Sequence, residues 1–222
     1  MIRILLVAPD HADLNVVPEI RYITGKHKTT VLNGQVTIDD LYVTCRYNDF
    51  DVIHFASHAG VDQIQVGDEL KNNAYVELSD GKRLTPDDVA QLVRMSRAST
   101  VFFNACTTGV MALYLVRHGA THVVYGNVDV IDRNAWKFAA AFYDALVNGA
   151  NKNVAAAFMV ADSGDGTYGW VVSPVHYQQL VDANAYMAAK RKSTWTLSKW
   201  QLVLLLATTG FSVITSLLAL VR

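Results

Sequence analysis

The apolar positions of this chain fall into short continuous runs separated by stretches of helical spacing. Residues 2–7 are continuously apolar after Arg3, as in a parallel strand covered on both faces. Residues 15–23 set Val16, Ile20 and Ile23 on one side of a helix that Gly25 closes. Thr37 and Asp40 have the spacing of an N-terminal cap, and Ile38, Leu41 and Cys45 then recur at helical intervals, which makes Cys45 a core residue. Residues 51–57 form the next predicted strand, whose end delivers His58, Ala59 and Gly60 into a loop. Ser79, Asp80 and Gly81 mark the turn of a peripheral hairpin, because an Asp-Gly pair favours the tight turns that match strand twist. Thr85 as N-cap, Pro86 behind it and Asp87 and Asp88 in the first turn open a helix through Val89, Leu92 and Val93.

The second half repeats the alternation. Residues 100–105 read as a strand ending at Cys106, and an apolar helix through Leu115 follows. A strand at residues 121–125 ends at Gly126; helices span 133–147 and 153–161, and residues 170–173 supply a last strand. Strand and helix in turn predict an α/β fold with a mostly parallel central sheet between helical layers. Residues 200–221 then run for 22 positions without Asp, Glu, Lys, Arg, His, Asn or Pro. As a helix this segment would be about 33 Å long, enough to cross a hydrocarbon core of about 30 Å. Lys190, Arg191, Lys192 and Lys199 precede it and only Arg222 follows, which by the positive-inside rule keeps the N-terminal part in the cytoplasm. The expected organisation is one domain over residues 1–175, a stalk or exit helix at 176–198 and a transmembrane anchor at 199–222.

Composition narrows the function classes. A formal net charge of −1 offers no general attraction for nucleic acid, and the basic cluster beside the apolar segment is explained by topology or anionic lipid. Two cysteines, Cys45 and Cys106, make no disulfide framework. There is no CxxC, no HExxH and no compact His, Cys and Asp cluster, so neither a metal nor another cofactor is expected.

In an open α/β sheet, ligands gather outside the carboxyl ends of the strands, where His58 and Cys106 both fall. An imidazole there can take the thiol proton, and the thiolate can attack a peptide carbonyl to form an acyl-enzyme. Backbone N–H groups near Gly60 and Cys106 are candidates to receive the charge developing on the carbonyl oxygen, since Gly60 permits a close approach. The competing explanation is structural: cysteine is commonly buried, and a strand-end histidine can satisfy local backbone groups. His54 precedes the strand end and is expected to point into packing or a hydrogen bond.

Asp51-Val-Ile-His-Phe-Ala-Ser-His58-Ala-Gly60 resembles the strand and catalytic-histidine loop of caspase-like cysteine peptidases, specifically the CHAT branch related to caspases and separase. Val101-Phe-Phe-Asn-Ala-Cys106-Thr-Thr-Gly109 resembles their nucleophile segment, and the separation of 48 residues is similar to that of caspase-type chains. The resemblance covers about residues 1–173 and departs at Ala59, which stands where members of the family usually have glycine. It implies a caspase-like three-layer fold, His58 as general base and acid, Cys106 as nucleophile and a protein substrate. Asp129 and Asp132, beyond the predicted strand at 121–125, are candidates to attract a basic P1 side chain, although Asp132 also suits a helix cap.

Anchor and resemblance together predict a membrane-anchored cysteine endopeptidase acting through a Cys-His dyad, an effector in prokaryotic defence. Its domain would face the cytoplasm from the bacterial inner membrane. The expected partners are a protein substrate, the lipid bilayer, and a second copy or an activating protein, without nucleic acid. Two alternatives stand beside it: a non-catalytic caspase-like membrane scaffold, and an effector whose C-terminal helices disrupt the bilayer.

Overall fold

The computed structural model describes residues 2–66, 69–79, 81–128, 130, 132–149, 153–173 and 176. The elements run β1 (Arg3–Pro9), α1 (Val17–Lys26), β2 (Lys28–Gly34), α2 (Ile38–Tyr47), β3 (Val52–Ala56), β4 (Ala59–Val66), β5 (Glu69–Glu77) and β6 (Arg83–Leu84). They continue with α3 (Pro86–Ser96), β7 (Thr100–Asn104), α4 (Gly109–Arg117), β8 (His122–Gly126), α5 (Asp132–Asp144), a π-helical turn (Ala145–Gly149), α6 (Val154–Ala161) and β9 (Tyr168–Val172).

A six-stranded sheet has the order β2-β1-β3-β7-β8-β9. Its first five strands are parallel and β9 is antiparallel to β8. Side-chain alternation divides each strand between two cores. Leu5, Val7, Ile53, Phe55, Val101 and Phe103 meet apolar groups of α2, α3 and α4, whereas Ile4, Leu6, Val52, Phe102 and Val124 meet α1, α5 and α6. Every residue of β3, β7 and β8 is buried, which is why these runs carry no polar alternation in the sequence.

The second sheet, β4-β5-β6, is antiparallel. The hairpin expected from the sequence is its β5–β6 pair, and β4 replaces the open loop expected after His58: Ala59 and Gly60 begin that strand. Arg83 stacks on the Tyr75 ring at 3.8 Å and pairs with Asp62, so side chains on all three strands hold this sheet together.

The segment at 200–221 lies outside the described residues, as does the stalk at 176–198 apart from His176. No helix among the described residues is long and apolar enough to cross a membrane. The longest α-helix among the described residues, α5, has 13 residues and spans about 20 Å, short of a hydrocarbon core. Among the described residues the expected fold class is corrected accordingly to an α/β fold with mixed sheets and no membrane-spanning helix. The lipid-bilayer partner, the single-pass topology and the inner-membrane location rested on a helix at 199–222, and no membrane-spanning helix among the described residues supports them.

Helix starts follow local chemistry closely. At α3, Thr85 Oγ1 accepts from Asp88 N–H at 3.3 Å while Asp88 Oδ2 accepts from Thr85 N–H at 2.8 Å. Thr37 and Asp40 form the same reciprocal pair at α2. Thr85→Ala is expected to lower unfolding stability by about 1 kcal/mol, read from a denaturant midpoint, because it orphans a first-turn donor.

Candidate functional site

The chain goes from β1 outward to β2 and returns to β3 on the other side of β1. This reversal opens a crevice at the carboxyl ends of β1 and β3, the usual ligand position in such sheets. β3 and β7 are neighbours in register, with Ala56 opposite Asn104. Ser57 and His58 leave the first strand, and Ala105 and Cys106 leave the second, along the same edge of the sheet.

His58 is held from two directions. Its backbone carbonyl accepts from Glu77 N–H at 2.9 Å, at the end of β5. Its Nε2 lies 2.9 Å from Asp13 Oδ1 in the connection after β1. The His11 ring meets it edge-on at 4.8 Å between centroids. His11 Nε2 is 3.1 Å from Ser57 Oγ, and that hydroxyl donates to Glu77 O at 2.6 Å. The hydrogen bond to His58 holds the Asp13 carboxyl below its usual range.

Cys106 sits on a constrained loop. Thr107 has φ 51°, a left-handed conformation that a β-branched residue adopts only under strong local constraint. That constraint comes from Gly126 at the end of β8. Thr108 N–H donates to Gly126 O at 3.0 Å, and Gly126 N–H donates to Thr108 Oγ1 at 3.1 Å. A Cβ on Gly126 would stand 2.2 Å from Ala105 O, so only glycine lets the two strand ends come this close. Val130 N–H donates to Cys106 Sγ at 3.3 Å, and α4 begins just beyond with Thr108 as N-cap.

No hydrogen bond joins His58 to Cys106. The dyad expected from the sequence is therefore not formed in this structure: His58 is engaged by Asp13 and the thiol by Val130. Gly60 pairs with Tyr75 across β4 and β5, and a Cβ on it would meet the Tyr75 hydroxyl at 2.7 Å; the close approach seen there is the tyrosine ring. Asp129 lies outside the described residues, and Asp132 is the first residue of α5. Among the described residues no group of three or more His, Cys, Asp or Glu is arranged to hold a metal ion.

Residues 11–162 match the CHAT domain. The chain belongs to that family. CHAT domains are part of the caspase-like superfamily and are often linked to cysteine peptidase activity. No curated protein matches the chain.

Beneath the edge, the CHAT domain carries a buried polar network that the sequence reading missed. Glu19 of α1 is 3% exposed, and its Oε1 accepts from Asn104 Nδ2 at 2.6 Å. Asn104 Oδ1 accepts from the Tyr168 hydroxyl. His54 Nε2 lies 2.9 Å from the same Glu19 oxygen but off the line of a hydrogen bond, while its Nδ1 is 2.9 Å from the Tyr143 hydroxyl. Burial, reinforced by the Glu19 charge, pushes the Tyr168 phenol up and keeps it a donor. The network pins Asn104, two residues before Cys106, to α1 and β9. A cavity of about 20 Å³, room for one water, lies above it between Val16, Ser57, Asn104 and Trp136. The available sequence signals were Glu19 on the apolar side of a helix and a polar cluster, Asp10, His11 and Asp13, directly after the first strand.

Cys45 is fully buried on α2, and burial pushes its thiol up to about 11, partly opposed by a hydrogen bond with Ser96. A thiol raised this far is a poor nucleophile at neutral pH.

Proposed function

We propose that this CHAT domain is a caspase-like cysteine peptidase with Cys106 as nucleophile and His58 as general base and acid. The observation that carries this reading is the placement of both residues two positions beyond the paired Ala56 and Asn104, one on a loop braced by β5 and the other on a strained turn with a donor at its sulfur. The functional form requires a closure that the present arrangement lacks. Binding an extended peptide across the two strand ends brings His58 Nδ1 against Cys106 Sγ, a tightening common to sites that are loose without substrate.

The thiol proton then moves to Nδ1, and the thiolate adds to the scissile carbonyl carbon. The C–N bond breaks as the imidazolium returns its proton to the leaving amine. Water, deprotonated by the same imidazole, hydrolyses the thioester and restores the thiol. Backbone N–H groups near Gly60 and Cys106 are the proposed donors to the oxyanion, and Asp129 and Asp132 the proposed attractors of a basic P1 side chain.

The test is covalent. A peptidyl ketone electrophile is expected to modify Cys106 and leave Cys45 untouched, as read by intact mass and peptide mapping. Modification of Cys45 with Cys106 unreactive would overturn the assignment.

A further inference from the structure

We infer that Asp13 is the positioning residue for His58, its carboxylate accepting from Nε2–H and so selecting the tautomer that leaves Nδ1 as the proton acceptor for Cys106. This inference rests on the peptidase reading and adds to it a third group that neither the chain's motifs nor its family assignment supplies.

Geometry carries it. A neutral imidazole has one N–H, and which nitrogen bears it is decided by the partner of that nitrogen. Asp13 Oδ1 lies 2.9 Å from Nε2 and is an acceptor only, so the proton belongs on Nε2. No protein group bonds Nδ1 among the described residues, and the lone pair needed for a thiol proton is thereby left available. The charged and titratable groups facing His58 are Asp13 and His11. His11 braces the ring edge-on and is itself tied through Ser57 to β5, so the imidazole is held by a carboxylate at one nitrogen and by an aromatic edge at its side.

An exposed ion pair with no further role is the competing explanation, since the Asp13 side chain is 74% exposed and such pairs contribute little to stability. That exposure sets the expected size of the effect. A carboxylate screened by water orients an imidazole less firmly than a buried one, so its loss should cost toward the low end of what acid–base groups supply. We expect about a 10- to 100-fold fall in kcat.

The experiment uses the full chain and two readouts. Two-dimensional ¹H–¹⁵N spectra of the histidine rings, assigned through His58→Gln, are expected to show His58 with its proton on Nε2, and Asp13→Asn is expected to redistribute it. A proton on Nδ1 in the wild type overturns the inference whatever the catalytic outcome. For kinetics, Asp13→Asn should lower kcat and the rate of Cys106 modification together by about 10- to 100-fold, with KM within about twofold and Tm unchanged, and Asp13→Glu should recover part of the loss. Unchanged kcat in Asp13→Asn, with His58→Ala inactive, rejects the role of Asp13 and leaves the peptidase intact. A wild-type Cys106 that is neither labelled nor needed for cleavage rejects the peptidase and, with it, any thiol for Asp13 to serve.

Discussion

Cys106→Ala is expected to reduce proteolysis by at least about 10³-fold, because the acyl intermediate of the proposed mechanism forms on its sulfur. His58→Ala should fall within about 10²- to 10⁴-fold of the wild type, since a thiol retains some thiolate without its base. Neither substitution should unfold the domain. Cys106 lies on a loop where, among the described residues, the one hydrogen bond to its sulfur comes from Val130 N–H, and the His58 ring is about one-third exposed. The measurement is a comparison of new protein N-termini produced by wild type and Cys106→Ala, with thermal melts of both. Identical cleavage products from the two proteins would exclude proteolysis by this residue.

Gly126→Ala should disturb folding and chemistry at once. Its new methyl would fall 2.2 Å from Ala105 O and 2.9 Å from Val130 Cγ2, and the first of these is backbone that cannot turn aside. The loop must shift, and it is the loop that carries Cys106, the proposed nucleophile. Overpacking of this kind costs about 1–3 kcal/mol, which for a domain of this size lowers Tm by several degrees. Labelling of Cys106 should slow by about tenfold, in line with the sensitivity of catalytic groups to displacements near 1 Å. Gly25→Ala is the control: nothing lies within 4 Å of its Cβ position in α1, and a helical alanine should leave stability equal or slightly raised. A Gly126→Ala protein with unchanged Tm and labelling rate would mean that the strand ends are not locked together as described.

The sequence by itself determined the elements whose chemistry is local. β3 and β7 announce themselves as unbroken apolar runs because both of their faces are buried, and the Thr-to-Asp spacings at 37–40 and 85–88 mark helix starts because a capping box needs only residues within one turn. The same locality made Cys45 legible as core. Strands β2 and β4 were not legible. β2 is an edge strand with no residue fully buried, and β4 lies in a small polar sheet whose pairing replaces the apolar alternation that would reveal it.

Only the tertiary structure decided the state of the site. Strand order brings Asp13 to His58 across 45 residues and Glu19 to Asn104 across 85, distances over which hydrophobic periodicity carries no information about side-chain partners. It also decided that His58 and Cys106 share an edge without a hydrogen bond between them. Periodicity reports which face of an element is buried, whereas a hydrogen bond depends on the register of neighbouring strands and on the loops that leave them. At this edge those loops engage His58 with Asp13 and Cys106 with Val130.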